Sequence, residues 1–165
     1  MTTLPVLELT SARRFELSTW LRTNLEDMFD QGIELAHGPV EMSVMGIRPD
    51  LVFTKEAWPH TDPKWAGSIF YTMTADGDMF QFGSLSHPDG VLVPPGKVFR
   101  VDPLELHWLR PDPVVSCGWV ALQWDVPREA TVAFELELAA AAHRWSQPTF
   151  CLPVLGSEPE NLLQL

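Results

Sequence analysis

Residues 67–84 read GSIFYTMTADGDMFQFGS, in which two runs of aromatic and apolar residues flank an acidic turn that contains glycine. Such runs favour strands, and the turn residues favour a reversal of the chain. The same texture extends from about residue 40 to residue 126. The predicted strands are Val40–Met45, Leu51–Thr54, Ser68–Thr74, Met79–Phe82, Val91–Val93, Lys97–Val101, Leu106–Leu109 and Cys117–Asp125. Strands this short and closely spaced predict a sandwich or barrel rather than βαβ units.

Helices are predicted on both sides of this β-rich region. Residues 11–30 have a possible N-cap at Ser11 and apolar residues at steps of three and four. Residues 128–145 read REATVAFELELAAAAHRW, and their good helix formers outweigh a competing strand interpretation that alternates from Val132 to Leu138. No repeat or linker interrupts the chain. We therefore predict a single, mainly β domain over residues 1–165 with an N-terminal and a C-terminal helix.

The composition narrows the classes of partner. The 165 residues carry 22 acidic and 11 basic side chains, for a net charge of −11. Nucleic-acid binders need a basic surface, so no nucleic acid is expected as a partner. The two cysteines, Cys117 and Cys151, do not make a disulfide framework and favour a reducing compartment. The N-terminus lacks a signal-peptide pattern, and no apolar run approaches the roughly 20 residues that cross a bilayer. The expectation is a cytoplasmic protein without a membrane partner.

A possible metal site is indicated by the segment Trp58-Pro59-His60-Thr61-Asp62. Residues separated by one position project to the same side of an extended strand, which would bring the His60 imidazole beside the Asp62 carboxylate. Such a mixed donor set suits a first-row divalent metal. A third ligand is available at His107, 45 residues beyond Asp62 (107 − 62). Two histidines and one carboxylate form the facial triad that holds Fe(II) in non-haem oxygenases and leaves positions open.

The order of these motifs resembles a known family. His-x-Asp is followed by the strand pair of residues 67–84, then by VPPGKVFRVDPLELHWLRPDP over residues 93–113, which carries a Pro-Gly turn, a strand and the second histidine. This order is similar to that of the iron(II)/2-oxoglutarate-dependent dioxygenases, and the resemblance spans roughly residues 48–126. It implies a double-stranded β-helix, the jelly-roll or cupin-like barrel, with N-terminal helices outside one sheet.

The resemblance also implies a function. His60, Asp62 and His107 would bind Fe(II), with 2-oxoglutarate as cosubstrate, and the chain would be an oxygenase or hydroxylase. Its substrate would be a small molecule or a protein side chain, and neither the substrate nor the oligomeric state is predicted. The alternatives are a catalytically reduced relative that acts as a binding or regulatory protein, and a cupin-like metal enzyme that does not use 2-oxoglutarate.

One feature departs from the family pattern. The family places a basic residue, usually Arg, shortly after the second histidine, where it binds the far carboxylate of 2-oxoglutarate. Here Trp119 stands near that position. Strand alternation predicts Trp119, Ala121 and Gln123 on one face of the last strand. A buried carboxylate without a cationic partner costs several kcal/mol, so the substitution is not conservative.

Three outcomes of this departure stay open. Another cation can replace the missing Arg, and the candidates are Arg100, Arg110, Lys97 and Lys64, with the Tyr71 phenol as a further carboxylate ligand. Alternatively, Trp119 and Trp108 shape an apolar pocket for a different cosubstrate or for none. The third outcome is a scaffold that binds without turnover. The remaining histidines, His37, His87 and His143, are predicted to lie at the surface.

Overall fold

The computed structural model describes residues 2–4, 35–54, 56–76, 80–92, 96–111 and 119–147. The helix predicted at residues 11–30 lies outside them. The strands of the described part are β1 (Thr2–Leu4), β2 (Leu35–His37), β3 (Asp50–Thr54), β4 (Ala57–His60), β5 (Ser68–Asp76), β6 (Phe80–Ser84), β7 (His87–Leu92), β8 (Val98–Val101), β9 (His107–Pro111) and β10 (Trp119–Pro127). Short 3-10 helices occupy Val40–Met42, Pro63–Trp65 and Arg128–Ala130, and helix α1 spans Thr131–Trp145.

The strands form two antiparallel sheets. The larger sheet has the order β1-β8-β5-β10-β3-β2, and the smaller has the order β4-β9-β6-β7. Four of the pairings are nested along the chain: β3 pairs with β10, β4 with β9, β5 with β8, and β6 with β7. The mainly β class with a C-terminal helix is thereby confirmed for the described residues.

Strand β10 runs through the middle of the large sheet and separates two apolar cores. Val120, Leu122 and Trp124 belong to the core that includes helix α1. Trp119 and Ala121 belong to the core between the two sheets, together with residues of β6 and β9. This division between the two cores confirms the alternation predicted for the strand, in which successive side chains point to opposite faces of the sheet.

Helix α1 covers the outer face of the large sheet. Its buried residues, which include Phe134, Leu138, Ala141 and Trp145, recur at the spacing of one helix face. The Trp145 ring stacks on that of Trp124, with centroids 5.9 Å apart and planes 10° from parallel. The C-terminal helix prediction is therefore confirmed, and the competing strand interpretation is wrong.

The predicted strand Val40–Met45 is also wrong. Val40–Met42 is a 3-10 helix, and Val44 bridges back to Ile47 across a tight turn. Met45 and Gly46 both have positive φ, at 53° and 76°, which reverses the chain and prevents an extended strand. Met42 and Val44 are buried all the same. The apolar side chains led to the prediction of a strand here, but the backbone hydrogen bonds of this segment are made within local turns.

Among the helices of the described residues, none combines the length and apolar character needed to span a bilayer.

Candidate metal centre

The two histidines are brought together by the pairing of β4 with β9. His60 is the last residue of β4, His107 is the first of β9, and the two are register partners. Paired residues project to the same face of a sheet, so the imidazoles lie side by side, with ring centroids 4.5 Å apart. Strand pairing between segments 47 residues apart (107 − 60) therefore brings together two of the three predicted ligands.

The third predicted ligand, Asp62, lies just beyond the end of β4. Its backbone has left the strand conformation, with φ −115° and ψ 71°, and it precedes the 3-10 helix Pro63–Trp65. Its carboxylate Oδ2 lies 3.4 Å from His107 Nε2 and 3.6 Å from His60 Nε2. One ligand atom from each of the three residues lies within 4.8 Å of the others, a grouping that could hold a metal ion. The predicted His-Asp-His triad is therefore assembled in the structure.

Backbone carbonyls orient both imidazoles. His60 Nδ1 lies 2.6 Å from the carbonyl oxygen of Trp58, and His107 Nδ1 lies 2.7 Å from that of Glu105. A carbonyl only accepts, so Nδ1 carries the hydrogen, and in a neutral ring Nε2 is left with a lone pair. Two Nε2 atoms and one carboxylate oxygen then converge without a donor between them. A cation satisfies all three, and histidine ligands of metals are commonly held in this way.

The segment 102–106 supplies two of the contacts that position the triad. The Asp62 N–H donates to the Pro103 carbonyl at 2.7 Å, which holds the carboxylate-bearing residue against this segment. The Glu105 carbonyl accepts from His107 Nδ1. The conformation of segment 102–106 therefore controls the positions of two of the three ligands.

Arg128 and Asp102 in turn hold segment 102–106. The Arg128 guanidinium binds both carboxylate oxygens of Asp102 through Nη1 and Nη2, and its Nε donates to the Ala66 carbonyl at 2.6 Å. The same Asp102 carboxylate accepts from the Leu104 N–H at 2.9 Å. Hydrogen bonding from Arg128 lowers the pKa of Asp102 below its ordinary value. This bidentate pair ties the loop before β9 to the end of β10.

The triad lines a cavity of about 350 Å³ between the two sheets. The apolar part of its wall comes from both sheets and includes Val52, Phe70, Phe82, Val101, Leu109 and Trp119. Of the ligands, His107 is the most enclosed, with 13% of its side chain exposed against 29% for Asp62 and 41% for His60. The cluster is therefore reachable from solvent and from the cavity, as a site that binds a substrate requires.

The two tryptophans predicted to shape a pocket both line this cavity. Trp119 is buried, its Nε1 donates to Thr74 Oγ1 at 3.1 Å, and its ring meets the edge of Phe82 with centroids 5.0 Å apart. The Trp108 indole lies over Gly83 on the neighbouring strand, where any Cβ would overlap it. An indole held by packing and a hydrogen bond thus occupies the interior where the resemblance implied an Arg.

The structure does not bring Tyr71, Arg100 or Arg110 to the cavity. Tyr71 and Arg100 are register partners on β5 and β8, and both face α1, where Glu135 accepts from the Tyr71 hydroxyl at 2.6 Å and lies 3.7 Å from Arg100 Nη1. Burial, followed by the bond to Glu135, raises the pKa of Tyr71. Arg110 instead lies over the Trp108 ring, 5.9 Å from its centroid. A one-residue register difference reverses the face of every side chain, so the strand pattern alone could not decide which face Tyr71 takes.

Of the predicted cations, Lys64 lines the cavity. It belongs to the 3-10 helix that follows Asp62, and its ammonium lies 5.4 Å from the centroid of the Trp65 ring. Lys97 is not among the lining residues. Lys64 is thus the one cation that the described cavity wall offers to an anionic ligand.

Comparisons of the chain with protein-family models, with curated proteins and with solved structures found no match. Family membership is therefore not shown, and what the cluster can do follows from its own donor set and surroundings.

The sequence interpretation missed an acidic part of the cavity wall, formed by Asp50 and Asp125. The pKa of Asp125 is raised to about 6, mainly by burial and also by the nearby charges of Asp50 and Asp62, while the hydrogen bond from the Gln123 amide lowers it. Extending the predicted alternation of β10 by one step, from Gln123 to Asp125, would have placed this carboxylate inside.

His37 is not simply a surface residue, because its Nδ1 lies 3.1 Å from Asp50 Oδ1 across the β2–β3 pair. Burial raises the pKa of Asp50, and the hydrogen bond from His37 opposes that rise. The two carboxylates of the wall therefore differ in their hydrogen-bond partners: the partner of Asp50 is the His37 imidazole, and that of Asp125 is the Gln123 amide.

Replacing Asp125 by Asn is expected to stabilise the metal-free protein at pH 7.5 but not at pH 4. The folded-state pKa is raised, so between about pH 4 and pH 6 the folded protein keeps a proton that the unfolded chain has released. The wild-type protein therefore loses stability as the pH rises through this window. Above about pH 6 the full cost of burying the charged Asp125 carboxylate is present. Allowing for partial exposure, we expect a gain on the order of 1–2 kcal/mol.

Urea unfolding of the wild type and of Asp125→Asn at the two pH values, with a chelator present, measures this effect. Asp89→Asn changes the same charge at an exposed position and provides the matched control. An equal gain at pH 4 and pH 7.5 would contradict the assignment, because a protonated carboxyl carries no charge to bury.

Proposed function

We propose that this chain is a mononuclear, non-haem metal enzyme of the double-stranded β-helix type, with Fe(II) bound by His60, Asp62 and His107. The grouping of one possible ligand atom from each of these three residues, within 4.8 Å of one another and beside a cavity, carries the proposal. Each imidazole presents Nε2 because its Nδ1 is bonded to a carbonyl. Histidines that bind metals almost always donate their other ring N–H to a carbonyl, a carboxylate or water.

The strand pairing supports the proposed fold. Four nested antiparallel pairs, from β3–β10 outside to β6–β7 inside, describe one long hairpin whose arms alternate between two sheets. A jelly roll is a double-sheet arrangement of this sort. In it, the triad falls at the ends of the second nested pair, β4–β9, facing the space between the sheets.

The donor set fits ferrous iron. Two imidazoles and one carboxylate suit first-row divalent metals, and as a facial triad they leave positions for other ligands. Bound iron would supply the activation of dioxygen. The chain's own residues hold the triad in place and line the cavity with aromatic side chains.

The first form of the proposal is a 2-oxoglutarate-dependent oxygenase. Its cosubstrate is a dianion, and the far carboxylate requires a cation in a wall without the Arg of the resembled family. Lys64 is the lining residue that can supply this charge. We therefore assign carboxylate binding to Lys64 instead of to Tyr71, Arg100 or Arg110.

A second candidate is a metal enzyme of the same fold that uses no 2-oxo acid. Asp50 and Asp125 favour it, because two carboxylates on the cavity wall repel a dianionic cosubstrate. The two candidates share the metal and differ in what binds beside it.

Anaerobic titration of the metal-free protein with Fe(II), followed by 2-oxoglutarate, separates these functions. A visible charge-transfer band that is absent from His60→Ala supports the oxygenase. Lys64→Met should then weaken 2-oxoglutarate roughly ten-fold, equivalent to about 1.4 kcal/mol, and leave iron affinity unchanged. Lys97→Met removes the same charge from a residue that does not line the cavity and serves as control. Stoichiometric iron without the band supports the second candidate. Absence of stoichiometric iron would refute both and leave a non-catalytic binding protein.

A further inference from the structure

The large sheet presents a continuous polar strip to the cavity. Gln123 on β10 is register partner to Asp50 on β3 and to Thr72 on β5, so these side chains project to one face. Asp125 lies two positions further along β10 on the same face, and all four residues line the cavity. Neighbours of this kind stand roughly 5–8 Å apart, within the span of a small ligand group.

Charge on this strip is only partly compensated. Asp50 is paired with His37, and the charge of Arg48 also reaches it. Asp125 accepts from Gln123 Nε2 at 3.4 Å, and no ion pair joins it to another of the described residues. A half-buried carboxylate left with one long amide contact is costly to folding, and costs of this kind collect at binding sites.

An apolar surface shares the cavity with this strip. The side chains of Phe70, Phe82, Leu109 and Trp119 come from four strands and pack into one cluster. The space of about 350 Å³ lies within the ordinary range for small-molecule sites, which combine an apolar wall with a few polar groups. The triad lines the same space, so a ligand held there lies beside the metal site.

We propose that the cavity selects a substrate that joins an ammonium or guanidinium group to an apolar body. The cationic group binds Asp125, with Asp50 and Gln123 beside it, and the apolar body packs on the aromatic wall around Trp119. This substrate class rests on the proposed function, because it takes the metal cavity as the site of reaction. The metal itself does not enter the recognition of the cation.

Three probes of nearly equal shape and different charge test the inference: benzylammonium, benzyl alcohol and benzoate. Their dissociation constants are measured by calorimetry at pH 7.5, for the metal-free protein and for the Zn(II)-loaded protein. We expect benzylammonium to bind roughly ten-fold or more tightly than benzyl alcohol, and benzoate to bind weakest in the metal-free form, where no metal can ligate it. The metal-free arm keeps a failure of this inference distinct from a failure of metal binding.

Variants locate the preference within the cavity. Asp125→Asn is isosteric and should reduce the advantage of benzylammonium over benzyl alcohol roughly ten-fold, with a smaller reduction in Asp50→Asn because His37 already shares that charge. Asp62→Asn removes a carboxylate from the triad and should keep most of the advantage. Equal affinities for the three probes, no benzylammonium binding, or a preference lost in Asp62→Asn and kept in Asp125→Asn would each overturn the inference.

Discussion

Replacing His107 by alanine is expected to weaken the binding of Co(II), a spectroscopic stand-in for Fe(II), by at least about 100-fold. Residues that merely orient a metal ligand are worth 10–100-fold in affinity, and in the proposed site His107 supplies a ligand atom itself. It is also the least exposed member of the triad, so solvent replaces it poorly. Competition with a chromophoric chelator measures the affinity, and the visible bands of Co(II) report its coordination.

The matched control for His107→Ala is His143→Ala, which removes an exposed imidazole from helix α1. Metal that binds only the folded state raises its stability, by about 2.7 kcal/mol at a concentration 100 times the dissociation constant. Thermal unfolding should therefore move upward with Co(II) in the wild type and in His143→Ala, and stay constant in His107→Ala. A His107→Ala protein that binds Co(II) within about three-fold of the wild type would contradict the site.

Replacing Arg128 by methionine is expected to weaken metal binding by roughly 10–100-fold, although Arg128 touches no ligand. Its guanidinium holds Asp102 and the Ala66 carbonyl, and so fixes the segment that bonds to Asp62 and His107. Methionine keeps an unbranched apolar side chain and removes the charge and every donor. Chelator competition with Co(II), at a temperature where circular dichroism shows full folding, measures the loss.

Two further variants separate positioning of the ligands from general destabilisation. Arg128→Lys keeps the charge without the planar fork and should restore part of the affinity. Leu138→Ala opens a cavity under α1, far from the triad in the other core, and should cost about 2–5 kcal/mol of stability with wild-type metal affinity in the folded protein. If Leu138→Ala lost as much affinity as Arg128→Met, or if Arg128→Met lost none, the positioning role would be disproved.

The triad was predictable because possible metal ligands can be recognised from residue type and local spacing. His60 and Asp62 are two positions apart, so local geometry already constrains them. The participation of His107 came from the order of motifs in the resembled family. The local pattern could not predict the register that pairs His60 with His107, because this register depends on the pairing of two distant strands, β4 and β9.

The faces of β10 were predictable for a different reason. Alternation is a property of any extended strand, so the separation of Trp119 from Val120 follows once the strand is assumed. Helix α1 likewise follows from its good helix formers and the spacing of its buried residues.

Tertiary structure alone decided the remainder of the site. Tyr71 and Arg100 face α1 because of the register of β5 and β8, and a register is set by packing of whole sheets. The contact between Arg128 and Asp102 joins residues that are 26 positions apart, and no local sequence pattern predicts it. The sequence by itself therefore determined which residues can bind a metal and which faces are apolar, because type and period are local. Which carboxylates and which cation share the cavity with the triad depended on the tertiary structure, because residues far apart in the chain line it.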